Sequence, residues 1–152
     1  MNITTREAKP SDIAAIAELF DRYRQFYEQA PNLPLAQAFI AERLGRQDSV
    51  ILVAAQDGRD LLGFCQLYPT FCSVEARPIY VLYDLFVLPL ARQTGTGRLL
   101  LQAAETRAAA DGKVRMDLTT AKTNQTAQSL YESLGWVRDD VFFAYSRHVQ
   151  TA

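Results

Sequence analysis

Residues that build metal sites and redox pairs are nearly missing from this chain: one His, two Cys and one Trp stand among 152 residues. Cys65 and Cys72 are seven positions apart, a spacing that fits neither a zinc knuckle nor a CxxC pair, so reduced thiols and no metal are expected. His148, close to the C-terminus, reads as part of a frayed end. An excess of one charge is lacking too. Sixteen Lys and Arg face 17 Asp and Glu, a net charge of -1, which argues against a nucleic-acid binder with its clustered basic face. No apolar run approaches the ~20 residues of a membrane span. The opening MNITTREAKPSD has no apolar h-region. The expectation is a cytoplasmic protein with neither membrane nor nucleic acid as partner.

What is present is the material of an ordinary globular core. With 49% hydrophobic and 22% charged residues, a chain of this length buries roughly 70% of its unfolded surface. A single domain over residues 1–152 is expected, without repeats or linkers.

Ile3 to Arg6 reads as a short strand. Lys9-Pro10-Ser11-Asp12 then breaks the chain before an apolar helical period at Ile13, Ile16, Ala17 and Phe20, running to about Glu28. A second helix follows Pro34 and stops near Gly45. Ser49 to Gln56 and Leu61 to Tyr68 flank Asp57-Gly58, a hairpin signal. Pro69 to Pro78 reads as a loop. Ile79 to Val87 is an almost wholly apolar strand, the Gly97 to Asp111 segment a helix, Val114 to Thr119 a strand and Asn124 to Leu134 a helix closed by Gly135. Trp136 to Arg147 is rich in β-forming residues. The order predicts an α/β or α+β fold, its sheet parallel in character towards the C-terminal half.

Between the strand and helix around position 90 lies RQTGTG, Arg92 to Gly97. A loop of small residues feeding a helix N-terminus offers unpaired N–H groups and the positive end of the helix dipole, and Arg92 and Arg98 add charge, so the segment suits a phosphate. A Walker loop would need GxxxxGK[ST], which is absent. A dinucleotide fingerprint would need a glycine where Leu100 stands.

The strand and loop DLFVLPLARQTGTG resemble the coenzyme A motif R/Q-x-x-G-x-G/A of the GNAT superfamily of N-acetyltransferases, filled by Arg92, Gly95 and Gly97. TAKTNQTAQSLYESLGW resembles that family's following motif, with Asn124, Ala127, Tyr131 and Gly135 in register. Within the superfamily, RQFYEQ, QLYPTF, DLFV and the aromatic tail are similar in wording to a subgroup of yeast histone and polyamine acetyltransferases.

The resemblance implies a mostly antiparallel sheet with one splayed parallel pair and about four helices. It implies acetyl-coenzyme A as co-substrate, its arm paired with backbone groups of Leu85, Phe86 and Val87 beside a bulge. The diphosphate would sit on the amides of Gln93, Thr94, Gly95, Thr96, Gly97 and Arg98, with Arg92 beside it, while Asn124 and Ala127 contact the arm. Backbone N–H groups near Phe86 and Val87 would stabilise an oxyanion, and Tyr131 would protonate the departing sulfur.

An amine of pKa near ~10.4 must lose a proton before it attacks. Some members of the family carry a carboxylate where Tyr83 stands here, so the base is expected to be Asp117 or Glu75 acting through water. Simple alternation puts Val81, Tyr83 and Leu85 on one strand face and Asp84 on the other, in a structural role. The aromatics Tyr23, Phe26, Tyr27, Tyr68 and Phe71, with Phe142, Phe143 and Tyr145 of the tail, belong either to the core or to a pocket for a cationic amine. The expected acceptor is a small primary amine. The alternatives are a lysine-bearing peptide or protein, or a non-catalytic sensor of acyl-coenzyme A. A homodimer is implied by the resembling subgroup alone.

Overall fold

The computed structural model describes residues 2–152, which divide into two compact units, one up to Thr119 and the other Thr120–Ala152. In the first, strands β1 (Ile3–Glu7), β2 (Val50–Gln56), β3 (Asp60–Cys72), β4 (Arg77–Val87) and β5 (Met116–Asp117) form one sheet in the order β1-β2-β3-β4-β5. The first four run antiparallel and β5 lies parallel to β4. Helix α3 (Thr96–Ala110) makes the crossover that a parallel pair requires. This is the mixed sheet with one parallel pair that the family resemblance implies.

Helices α1 (Ile13–Phe26) and α2 (Leu33–Arg46) cover one face. The start of α1 is fixed by Asp12, whose carboxylate accepts from the Lys9 amide at 2.7 Å and from both terminal nitrogens of Arg6 at 2.7 and 2.9 Å. Asn32 caps α2 by accepting from the Leu35 amide, and the buried Asp21 of α1 ties the two helices by accepting from the Asn32 amide at 2.9 Å. Ile16, Phe20 and Ile40 from these helices pack with Ile51, Val53, Phe64 and Phe86 from the sheet. The alternate strand positions, Leu52 and Cys65, leave the other face to α3, which buries Leu100, Leu101, Ala104 and Ala108.

Two departures from the sequence reading matter for the site. First, β3 continues through Pro69 to Cys72, where a loop is predicted. Strand β2 begins at Val50 opposite Leu67, so beyond that point β3 has lost its neighbour on that side and a proline sacrifices no ladder bond. Second, β4 carries a bulge. Gln66 opposes Asp84 and the next residue, Leu67, opposes Leu82, so Tyr83 is an extra residue with no partner on β3.

The second unit contains α4 (Gln125–Ser133), capped by Asn124, whose side chain accepts from the Ala127 amide at 3.2 Å. The helix ends with the Gly135 amide donating to Glu132 O and the Trp136 amide to Tyr131 O, the paired bonds of a Schellman ending. The segment predicted to be β-rich, Trp136 to Arg147, contains no strand. Strands exist only as pairs, and this unit holds no second extended segment in register with it. Asp139 instead accepts from the amides of Val141 and Phe142, folding the chain into a turn, and Phe142, Phe143 and Tyr145 are exposed.

Candidate active site

The far end of β4 is where the sheet opens. Strand β5 pairs with β4 only at Tyr80↔Met116 and Val81↔Asp117, while β4 runs on to Val87. The bulge sets which main-chain groups face the gap. Upstream, the Tyr80 amide donates towards β5, to Arg115 O at 3.1 Å; downstream, the Leu88 amide donates the opposite way, to Leu62 O on β3 at 2.8 Å. Both are even-numbered, so the extra residue at Tyr83 has reversed the strand's parity. Leu85 and Val87 therefore turn their main-chain groups to the open edge. Phe86, expected beside them, turns its own to β3 and packs its ring in the core; uniform alternation across three successive residues could not have placed all three at one edge.

At Val87 the strand meets the loop. Arg92 Nε donates to Val87 O at 3.1 Å and the Arg92 guanidinium lies over the Phe86 ring, 5.7 Å from its centroid. This hydrogen bond joins the two parts of the coenzyme motif. Thr94 Oγ1 donates to Ala91 O and contacts Thr96 Oγ1 at 2.7 Å, so these hydroxyls close the turn and only their amides remain for a ligand. Gly95 caps α3 with φ +86°, a conformation that L side chains rarely adopt, and a Cβ there would meet nothing within 4 Å. The loop is shaped by backbone demand, with space outside it. The Gly95 carbonyl accepts the first helical bond from the Leu99 amide at 3.0 Å, and the amides of Thr96 and Gly97, ahead of that bond, belong to the turn of a helix whose N–H groups point outward along its axis. A dipole-aligned set of N–H groups at the end of an open strand edge suits an extended ligand that carries a diphosphate.

In the second unit, Asn124 and Tyr131 share α4. The Asn124 carbonyl serves the helix cap, and the Tyr131 ring lies 6.1 Å from that of Trp136.

The expected bases do not fit. One guanidinium, that of Arg115, holds both: it donates to Asp117 at 2.8 and 3.1 Å and to Glu75 at 3.2 Å. Asp117 is level with Val81, six residues from Val87, or roughly 20 Å at the rise of a strand. Glu75 lies in the turn beyond Arg77, roughly 30 Å from Val87 on the same rise.

The bulge also corrects the placing of Asp84. Asp84 opposes Gln66 and Phe86 opposes Phe64, so both share the face covered by α1; Tyr83, whose ring lies 5.5 Å from that of Tyr68, is on that face as well. Asp84 is 4% exposed and Tyr83 66%. Ser49 Oγ donates to Gln66 Oε1 at 2.8 Å, and Gln66 Nε2 donates to Asp84 Oδ2 at 2.7 Å. From α1, Tyr23 Oη donates to the main-chain carbonyl of Tyr83, the residue next to Asp84, at 3.1 Å. Burial raises the Asp84 carboxyl above the usual range, against the lowering effect of the Gln66 hydrogen bond. The signal for this network in the sequence was two polar residues, Gln66 and Asp84, set into otherwise apolar strands.

A sheet opened at a bulge, with a glycine-capped helix at its mouth, defines a class of acyl-group transferases. Residues 13–136 match the family model described as "Acetyltransferase (GNAT) family", and the chain belongs to that family. It is an acetyltransferase. It is 49% identical over 149 residues, 98% of each chain, to an uncharacterized N-acetyltransferase, YhfO, of Bacillus subtilis (strain 168). It is 31% identical over 99 residues to a probable acetyltransferase of Haemophilus influenzae, covering 65% of this chain and 68% of that one. Among solved structures, the crystal structure of a probable acetyltransferase superimposes with a TM-score of 0.88 at 36% identity over 100% of both chains.

Proposed function

We propose that this acetyltransferase moves an acetyl group from acetyl-coenzyme A to the primary amine of a small molecule by direct attack. The observation that carries the proposal is the open edge of β4 at Leu85 and Val87, joined through Arg92 to the amide-lined start of α3. An extended pantetheine arm would add to that edge as a strand, and the diphosphate would meet the amides of Gln93 to Arg98. Asn124 and Ala127, at the start of α4, would contact the arm. Tyr131 would give its proton to the leaving sulfur. The family match runs through both units, which supports reading residues 1–152 as one acetyltransferase domain.

The aromatic side chains of α1 favour an amine acceptor. Tyr23 and Tyr27 lie ring to ring at 5.2 Å and Phe26 is half exposed, an arrangement on which a cation can rest. This is in keeping with the polyamine-acetylating subgroup that the sequence resembles. Free thiols at Cys65 and Cys72 suit a reducing cytoplasm. The exposed Val141, Phe142 and Phe143 are the surface we assign to a homodimer, checked by sedimentation of the wild type against Phe142→Ser. The transfer is tested by thiol release from acetyl-coenzyme A against polyamines, amino acids, aminoglycosides and lysine peptides. Turnover on a small amine supports the proposal. Turnover confined to lysine peptides redirects it to a protein acetyltransferase, and coenzyme binding without turnover on any amine redirects it to a sensor.

A further inference from the structure

Acetyl transfer to a small amine, the reading on which this inference rests, says nothing of what else the acceptor carries, and the last turn of α1 bears on that. Among the described residues, two buried side-chain nitrogens have no hydrogen-bond partner, Arg24 Nη1 and Arg43 Nε. Arg43 Nε lies 2.9 Å from Asp48 Oδ1 and its guanidinium covers the Phe39 ring, so its charge is met. Arg24 has neither an ion pair nor a ring beneath it among the described residues. A buried N–H without an acceptor weakens a fold, and more so when it belongs to a cation.

The sequence offers Arg24 two carboxylates at helical spacing, Asp21 three positions before it and Glu28 four after. The fold diverts both. Asp21 Oδ1 accepts from the Asn32 amide at 2.9 Å and its Oδ2 from Gln25 Nε2 at 3.2 Å. Glu28 takes φ +65° in the left-handed turn that ends α1, where its amide donates to Gln25 O and that of Gln29 to Arg24 O, so it has left the helical path. The C-terminal end of α1 favours a cation through its dipole. A dipole, however, is not an acceptor for a buried N–H.

Phe20, four positions before Arg24, and Tyr27, three after, share its side of the helix. Tyr27 lies edge-on to Tyr23, and Tyr23 donates to the Tyr83 carbonyl at the bulge and packs 6.4 Å from the Phe86 ring. The unpaired guanidinium thus belongs to the same aromatic turn that is proposed to receive the amine, beside the strand that leads to the open edge at Leu85 and Val87.

We propose that Arg24 holds a carboxylate carried by the acceptor, and that the small amine is therefore an amino acid and not a polyamine. The planar fork of a guanidinium suits a carboxylate. With the ammonium on the tyrosine rings and the carboxylate on Arg24, both ends of a zwitterion are met. A polyamine would bring a second ammonium to an unpaired guanidinium and be repelled by it.

The test follows thiol release from acetyl-coenzyme A over matched amines that differ by a carboxylate: lysine against cadaverine, ornithine against putrescine, and β-alanine against ethylamine. In wild type the carboxylate-bearing member of at least one pair is preferred by roughly tenfold or more in kcat/KM. Arg24→Gln, without the charge, brings that ratio close to one, and Arg24→Lys, which keeps the charge and loses the fork, retains part of it. A wild-type ratio that is near one, or that favours the decarboxylated member, in every pair overturns the role of Arg24 and leaves small-amine transfer standing; this outcome needs no variant to fold. A preference that survives intact in Arg24→Gln overturns that role as well. A wild type that binds coenzyme and acetylates no member of any pair overturns both this inference and the reading beneath it.

Discussion

Tyr23 Oη, on helix α1, donates to the main-chain carbonyl of Tyr83, the extra residue of the β4 bulge, at 3.1 Å. A bulged carbonyl has lost its ladder partner, and a helix side chain supplies the missing donor. Tyr23→Phe removes that donor without opening a cavity. It is expected to lower the free energy of unfolding by about 1 kcal/mol, the net worth of one hydrogen bond, read by urea denaturation. An unchanged midpoint would mean that water replaces the phenol.

Asp12 gives the fold an acid sensitivity. The Arg6 guanidinium, bonded to it through two nitrogens, holds its carboxyl below the usual range. A depressed carboxyl contributes stability that is present in full above the unfolded value of ~3.9 and is lost as pH falls through the folded value. Asp12→Asn is expected to cost about 1–2 kcal/mol at pH 7, the gap to wild type closing as pH drops below about 4. Thermal unfolding from pH 7 to pH 2 checks this, and a gap independent of pH would contradict it.

Gly95 holds φ +86° at the start of α3. Gly95→Ala puts a Cβ in the left-handed region, at ~1–2 kcal/mol for the residue, and into the space where the diphosphate is proposed to sit. Coenzyme affinity is expected to fall at least tenfold in calorimetry, more than the modest stability loss alone would give. Equal affinity would move the diphosphate off this loop.

Gly63 of β3 faces Val87 so closely that a Cβ would lie 2.7 Å from the Phe86 carbonyl oxygen. Because that contact is backbone, β4 must move to admit an alanine. Gly63→Ala should cost ~1–3 kcal/mol and weaken coenzyme binding by displacing Val87. If the loss appears in unfolding alone, the open edge at Val87 does not hold the arm.

Much of this was legible beforehand because it depends on local chemistry. The Asp57-Gly58 hairpin, the helical period of α1, and the glycine loop before α3 are each fixed by a few adjacent residues. What escaped depends on partners distant in sequence. Pro69 reads as a break until one sees that β2 has already ended beside it. Simple alternation sets Asp84 on the face opposite Tyr83, because it assumes a uniform period of two, and the inserted Tyr83 resets it. Asp117 and Glu75 read as candidate bases because their shared partner, Arg115, is not disclosed by the sequence. The strand predicted after Trp136 has suitable residues but no neighbour in its own unit.

The most direct test of the whole account is acetyl transfer itself, measured as thiol release from acetyl-coenzyme A across the amine panel, in wild type and Tyr131→Phe side by side. The account predicts turnover on a small primary amine, a roughly 10²-fold lower kcat in the variant, and equal coenzyme affinity in both. Wild-type rates retained by Tyr131→Phe on the same amine would contradict the assignment of the acid, and coenzyme binding with no acceptor in the panel would contradict the transfer.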